Sequence, residues 1–160
     1  MVKVLVIYDS RSGNTELMAR AVTRGAKSVS QTEVALKKVD DVALKDMLKA
    51  DAIIIGSPTY YGLMSGRIKG LLDKSVKIHG ELEGKVGAAF TSSGGTASGA
   101  ETTLLSIIEA MLVHGMIVQG RHETKHYGAA AVGKPNNRDI TVCKELGRRT
   151  AELAKRTFSK

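Results

Sequence analysis

The chain has 160 residues, 42% hydrophobic and 25% charged, with 24 Lys+Arg against 16 Asp+Glu for a net charge of +8. That length and composition suit one globular domain with its own core, here residues 1–160, and exclude a disordered chain. A single cysteine, Cys143, excludes an intrachain disulfide, a cysteine zinc site and an Fe–S cluster; with no signal-peptide pattern at the start and no apolar run of bilayer length, it predicts a cytoplasmic protein without a membrane span.

Val2-Lys3-Val4-Leu5-Val6-Ile7-Tyr8 is a nearly continuous, β-branched apolar run, which predicts a strand buried on both faces of a parallel sheet. Over 15–29 the apolar residues Leu17, Met18, Ala21, Val22, Ala26 and Val29 recur at helical spacing. A weaker strand is expected over 33–39 and a short helix over 42–49, announced by Asp40 and Asp41. Residues 51–56, centred on Ile53-Ile54-Ile55, predict a central strand that Ser57-Pro58 brings to an end. A helix over 66–76, a strand over 85–91, a helix over 100–114 and a last short strand over 116–119 follow. Residues 120–137 show no clear period, and a helix over 139–158 closes the chain. Strands alternating with helices predict an α/β fold with a parallel sheet, whose ligands bind in the loops after the strands.

Three such loops stand out. Ser10-Arg11-Ser12-Gly13-Asn14-Thr15 lies between a buried strand and a helix start, where unpaired amides and hydroxyls suit a phosphate and Gly13 admits close approach. Taken alone, the same residues are equally ordinary turn and cap residues. In the second loop, Gly56-Ser57-Pro58-Thr59-Tyr60-Tyr61-Gly62, two of the six aromatic residues stand together and suit stacking on a flat ring; the plainer reading is a loop anchor. The third, Thr91-Ser92-Ser93-Gly94-Gly95-Thr96-Ala97-Ser98-Gly99, offers a glycine-rich polar edge. Neither Gly-x-x-x-x-Gly-Lys-Ser/Thr nor Gly-x-Gly-x-x-Gly occurs, which excludes the P-loop and the usual dinucleotide fingerprint. Together the loops describe a mononucleotide-like ligand with a broad ring. Cys143 reads as a core residue and His114 as a helix C-terminal residue favoured by the dipole.

Ser10 to Thr15 after Val-Leu-Val-Ile-Tyr is similar to the FMN phosphate loop of flavodoxins, and Gly-Ser-Pro-Thr-Tyr-Tyr-Gly with Met64-Ser65-Gly66 resembles the flavin loop of WrbA-type NAD(P)H:quinone oxidoreductases. The similarity continues through Phe90 to Gly95, His114-Gly115-Met116 and Tyr127-Gly128-Ala129. It implies a flavodoxin-like fold, a five-stranded parallel sheet of order 2-1-3-4-5 with helices on both faces, and noncovalent FMN. The implied contacts are the phosphate on Ser10, Arg11, Ser12, Gly13, Asn14 and Thr15, the ring against Pro58, Thr59, Tyr60, Tyr61 and Gly62, and its pyrimidine edge near Ser92, Ser93, Gly94, Gly95 and Thr96. The segment that supports tetramers in WrbA-type proteins is absent, since Val39 runs almost directly into the next helix.

The resemblance leaves two functions open. One is an electron carrier docking redox proteins, with the basic surface selecting acidic partners. The other is an NAD(P)H:quinone oxidoreductase passing hydride through FMN to a quinone; a homo-oligomer is compatible with either. The spread of the basic residues favours a solvated face over a nucleic-acid surface. No Asp or Glu occurs within 10–15, 57–62 or 92–99, so reduced flavin is expected to be less destabilised than in an acidic flavodoxin.

Overall fold

The computed structural model describes residues 1–158. Its elements run β1 (Val2–Tyr8), α1 (Asn14–Lys27), β2 (Thr32–Lys38), a 3₁₀ turn (Val39–Asp41), α2 (Leu44–Lys49), β3 (Ala52–Pro58), α3 (Gly66–Lys74), a second 3₁₀ turn (Ser75–Ile78), β4 (Val86–Ser93), α4 (Ala100–Val113), β5 (Ile117–Val118), β6 (Ala129–Val132) and α5 (Asn137–Phe158). The strands are parallel in the order β2-β1-β3-β4-β5, the order expected.

Alternation along the strands sorts the core into two layers. Val4, Val6 and Tyr8 of β1 and Ile54 of β3 face α1 and α5, joined by Met18, Val22, Phe90 and Cys143. Leu5, Ile7, Ile53 and Ile55 face the opposite helices, meeting Met47, Ile68, Leu71, Ile107 and Met111. Ile53, Ile54 and Ile55 are at most 1% exposed, and each contributes about 1.5–3 kcal/mol of burial. α1 and α5 meet closely at two glycines: a methyl on Gly147 would fall 2.0 Å from the Val22 carbonyl oxygen, and one on Gly25 would fall 1.8 Å from that of Lys144.

Two expectations are corrected. β3 continues to Pro58, paired with Ser92, instead of ending at Gly56. Gly56 accepts from the Asp9 amide on the β1 side while the Thr59 amide donates to Ser92 on the β4 side, so Pro58 turns its missing donor toward β1, where that strand has already ended. Within the aperiodic stretch after Gly120, β6 pairs with Phe90–Ser93 of β4, beyond the short β5, which pairs with Val86 and Gly87. The fifth sheet position is thus filled by two short pieces with the 119–128 loop between them. Four residues of alanine and valine give a strand this short no legible period.

Candidate functional site

The loops after β1, β3 and β4 converge at the carboxyl end of the sheet. Gly13, at φ +93°, begins α1. Ser10 Oγ accepts from the Gly13 amide at 3.1 Å and the Glu16 amide at 3.3 Å, which curls the loop onto the helix. The first helical bond runs from Leu17 to Gly13, leaving the Asn14 and Thr15 amides without intrahelical acceptors. A methyl on Gly13 would meet no heavy atom within 4 Å, so there is open space beside Gly13 at the start of α1, the kind of place where helix amides meet an oxyanion. Arg11 and Ser12 are exposed beside it.

Thr15 and Ser92 are nearly buried, and their hydroxyls lie 2.8 Å apart. The mutual bond uses one of their two protons. The second loop is tied to the third as well: the Thr59 amide donates to the Ser92 carbonyl at 2.8 Å, and Thr91 Oγ1 donates to the Ser57 carbonyl at 2.7 Å. With that proton committed, Thr59 Oγ1 is the donor in its 2.9 Å bond to Thr91 Oγ1. Pro58 is buried as the last residue of β3.

Tyr60 and Leu63 exchange backbone bonds of 3.0 Å across a tight turn whose central residues, Tyr61 at φ +50° and Gly62 at φ +76°, are both left-handed. Tyr60 is 40% exposed and Tyr61 fully exposed, so neither is tucked against the sheet. In the third loop Ser93 Oγ and Ser98 Oγ both donate to the Gly95 carbonyl, while Gly94 and Thr96 are exposed. Gly99, at φ +98°, begins α4, and a methyl there would fall 2.5 Å from Gly62 Cα. The sixteen residues expected at the site thus lie on three loops and the strand and helix ends that flank them, the first and second each bonded to the third.

Three contributors lie outside those sixteen. Ser65 caps α3, accepting from the Ile68 amide, and its own amide donates to Ser57 Oγ at 2.8 Å; a serine three positions before Ile68 was the available cap signal. Gly99 sets the spacing between loops. Asp9 is 6% exposed and lies 3.9 Å from Arg67, which reaches Asp40 at 3.1 Å; nothing in residue spacing announces that triad.

Cys143 is fully buried and its thiol is pushed up to about 12, chiefly by burial, as a core residue should be. His114 does end α4, but burial, with His79 adding to it, holds its pKa below the ordinary value; desolvation outweighs the helix dipole there. Among the described residues no group of three His, Cys, Asp or Glu is placed to hold a metal ion, and no helix is long and apolar enough to cross a membrane.

A doubly wound parallel sheet with an open helix N-terminus at its β1/β3 switch point defines a mononucleotide-binding α/β protein. A family model described as NADPH-dependent FMN reductase matches residues 36–125. A flavodoxin from Aquifex aeolicus is 43% identical over 95% of this chain and 86% of its own length. An NAD(P)H dehydrogenase (quinone) from Archaeoglobus fulgidus is 37% identical over 98% of this chain and 99% of its own. The structure of a flavodoxin, WrbA-like protein from Agrobacterium tumefaciens superimposes with a TM-score of 0.86 at 26% identity, covering 98% and 99% of the two chains. The chain belongs to the flavodoxin-like family of FMN proteins.

Proposed function

We propose that the protein carries electrons between redox partner proteins through one noncovalently bound FMN, as a single-domain unit. FMN supplies the electron chemistry; the chain supplies binding, access and potential. The carrying observation is the open N-terminus of α1 at Gly13, bonded through Thr15 and Ser92 to the end of β4. Ser10, Ser12 and the amides of Asn14 and Thr15 would hold the phosphate where Gly13 leaves room, with Arg11 adding charge. Tyr60 and Tyr61, backed by Pro58, Thr59 and Gly62, would carry the ring, and Ser92 to Thr96 its polar edge. The net charge of +8 selects acidic partners, so exchange should slow as salt is added. The buried free thiol of Cys143 suits the cytoplasm. Purified protein should be yellow, release its chromophore on heating and quench added FMN fluorescence at micromolar levels; colourless protein that quenches nothing overturns the reading.

A second reading, an NAD(P)H:quinone oxidoreductase, is favoured by the third loop. Residues 91–99 are glycine, alanine and hydroxyl residues only, so no aromatic side chain of that loop can blanket a ring stacked on the tyrosines, and a hydride donor could reach it. Exposed Val76, Leu112 and Val113 would suit a second copy of the chain in either reading. Steady-state turnover with NADH or NADPH and a simple quinone separates the two: negligible turnover with FMN intact leaves the carrier.

A further inference from the structure

β2 closes one side of the sheet, and among the described residues it pairs only with β1. The other side is broken into β5, of two residues, and β6, of four. The seven residues Thr32–Lys38 are therefore the longest free edge among the described residues.

The ladder decides which backbone groups that edge presents. The Val2 amide donates to the Gln31 carbonyl at 2.9 Å, and strand backbone alternates sides. Glu33, Ala35 and Lys37 thus bond toward β1, while Thr32, Val34, Leu36 and Lys38 turn N–H and C=O outward. Side chains alternate as well. Val34 and Leu36 are half-buried against the α1 and α5 layer. Glu33, Ala35 and Lys37 lie on the other face, where the six-residue α2 leaves an open groove that they line with Asp46 and Lys49. Glu33 and Ala35 are exposed, and Glu33 has no ion-pair partner within 4.0 Å among the described residues.

Lysines on a free edge repel an arbitrary strand, and Lys37 and Lys38 do so here. Against its own copy the same edge is complementary. In an antiparallel pairing with a two-fold axis at Ala35, Val34 meets Leu36 and Thr32 meets Lys38 as hydrogen-bonded pairs. Glu33 meets Lys37 as a close non-hydrogen-bonded pair, and the two alanines face each other on the axis. Each pair off the axis occurs twice. Moving the axis to Val34 or Leu36 sets Glu33 opposite Ala35 or Val39, and moving it to Glu33 or Lys37 sets like charges face to face, so charge selects one register. The Lys37 ammonium stands 2.8 Å from Asp46; with three protons it meets Glu33 of a second copy without releasing Asp46.

We propose that two copies of the chain join β2 to β2, antiparallel and centred on Ala35, into one continuous sheet. The two sets of loops at the carboxyl ends of the strands then point to opposite ends of the dimer, which leaves both candidate FMN sites open. This surface is separate from Val76, in the second 3₁₀ turn, and from Leu112 and Val113 at the end of α4.

The test is sedimentation velocity of the FMN-loaded protein over a micromolar to submillimolar series, with FMN uptake confirming that each variant folds. The wild type should reach a dimer. Glu33→Lys and Lys37→Glu should each weaken dimerisation at least about tenfold, because both charge pairs turn repulsive. An equimolar mixture of the two variants should regain the dimer, since every charge then meets its opposite. Ala35→Cys should form an interchain disulfide on mild oxidation, as paired Cα atoms about 4.5 Å apart are within disulfide range and the native Cys143 is buried. Glu109→Cys, an exposed site on α4, should not. A monomer throughout the series overturns the proposal. So does a dimer that both charge variants leave intact, a mixture that stays monomeric, or cross-linking of Glu109→Cys as readily as of Ala35→Cys.

Discussion

The hydroxyls of Thr15 and Ser92, 77 positions apart in sequence, meet at 2.8 Å and join the first turn of α1 to the end of β4. This bond fixes the distance between the phosphate end and the ring end of the proposed FMN site. Thr15→Val keeps the shape and removes one partner, leaving the buried Ser92 hydroxyl unsatisfied, which costs about 1–3 kcal/mol. Adding Ser92→Ala removes the orphan. Urea unfolding should therefore show the single variant to be less stable than the double one, while fluorescence titration shows weakened FMN binding in both. Equal stability of the two variants would show that the bond is incidental.

Gly99 faces Gly62 with no room for a side chain, and its φ of +98° disfavours one. Gly99→Ala combines a backbone penalty of about 1–3 kcal/mol with a methyl 2.5 Å from Gly62 Cα, so the second and third loops must part. The expected outcome is a lower unfolding midpoint and a larger loss of FMN affinity than in Gly94→Ala, where a methyl meets nothing within 4 Å. Gly94→Ala weakening FMN binding as much as Gly99→Ala would reject this account of the loop contact.

Much of this was legible beforehand for a physical reason. Strands buried on both faces must be apolar throughout, so Val2–Tyr8 and the Ile53 to Ile55 run declared themselves, and their order follows from helices crossing between them. The three loops were legible because small polar residues clustered where strands end. What stayed hidden depends on partners distant in sequence. No local pattern says that Thr15 will bond Ser92, that Arg67 will bridge Asp9 and Asp40, or that Ala129–Val132 will extend the sheet beside Phe90–Ser93. The proline rule placed the end of β3 too early because it treated both strand edges as paired, whereas β1 stops at Tyr8.

His114 yields a pH dependence whose sign is fixed by its hydrogen bonds. Ser75 Oγ donates its one proton to the Leu72 carbonyl at 2.6 Å, so in the 2.7 Å contact with His114 Nε2 the imidazole is the donor. Nδ1 is then a buried lone pair without a partner. Protonating it would bury a charge beside His79, with only the Lys69 and Asp73 pair of α3 along the same groove, so the folded pKa lies below the ordinary 6.5. As pH falls through 6.5 the unfolded chain takes up a proton that the folded chain refuses, and stability drops until the folded pKa is passed. Urea unfolding between pH 8 and pH 5 should show the wild type losing more stability than His114→Gln; parallel profiles would exclude the histidine as the source.

The last prediction concerns the potential. Fully reduced flavin carries negative charge, so carboxylates near it make the second electron harder to add and cations make it easier. The three loops hold no acidic residue within 10–15, 57–62 or 92–99, and Asp9, the carboxylate adjoining the first of them, is turned toward Arg67 at 3.9 Å. The second reduction should therefore lie at a less negative potential than in an acidic flavodoxin, which favours two-electron exchange. Arg67→Gln leaves Asp9 uncompensated and should move that potential down; Asp9→Asn should move it up. Because the Arg67 side chain is 59% exposed, both shifts should shrink as salt is added. Spectroelectrochemical titration at low and high ionic strength reads all three effects, and an upward shift in Arg67→Gln would reverse the electrostatic argument.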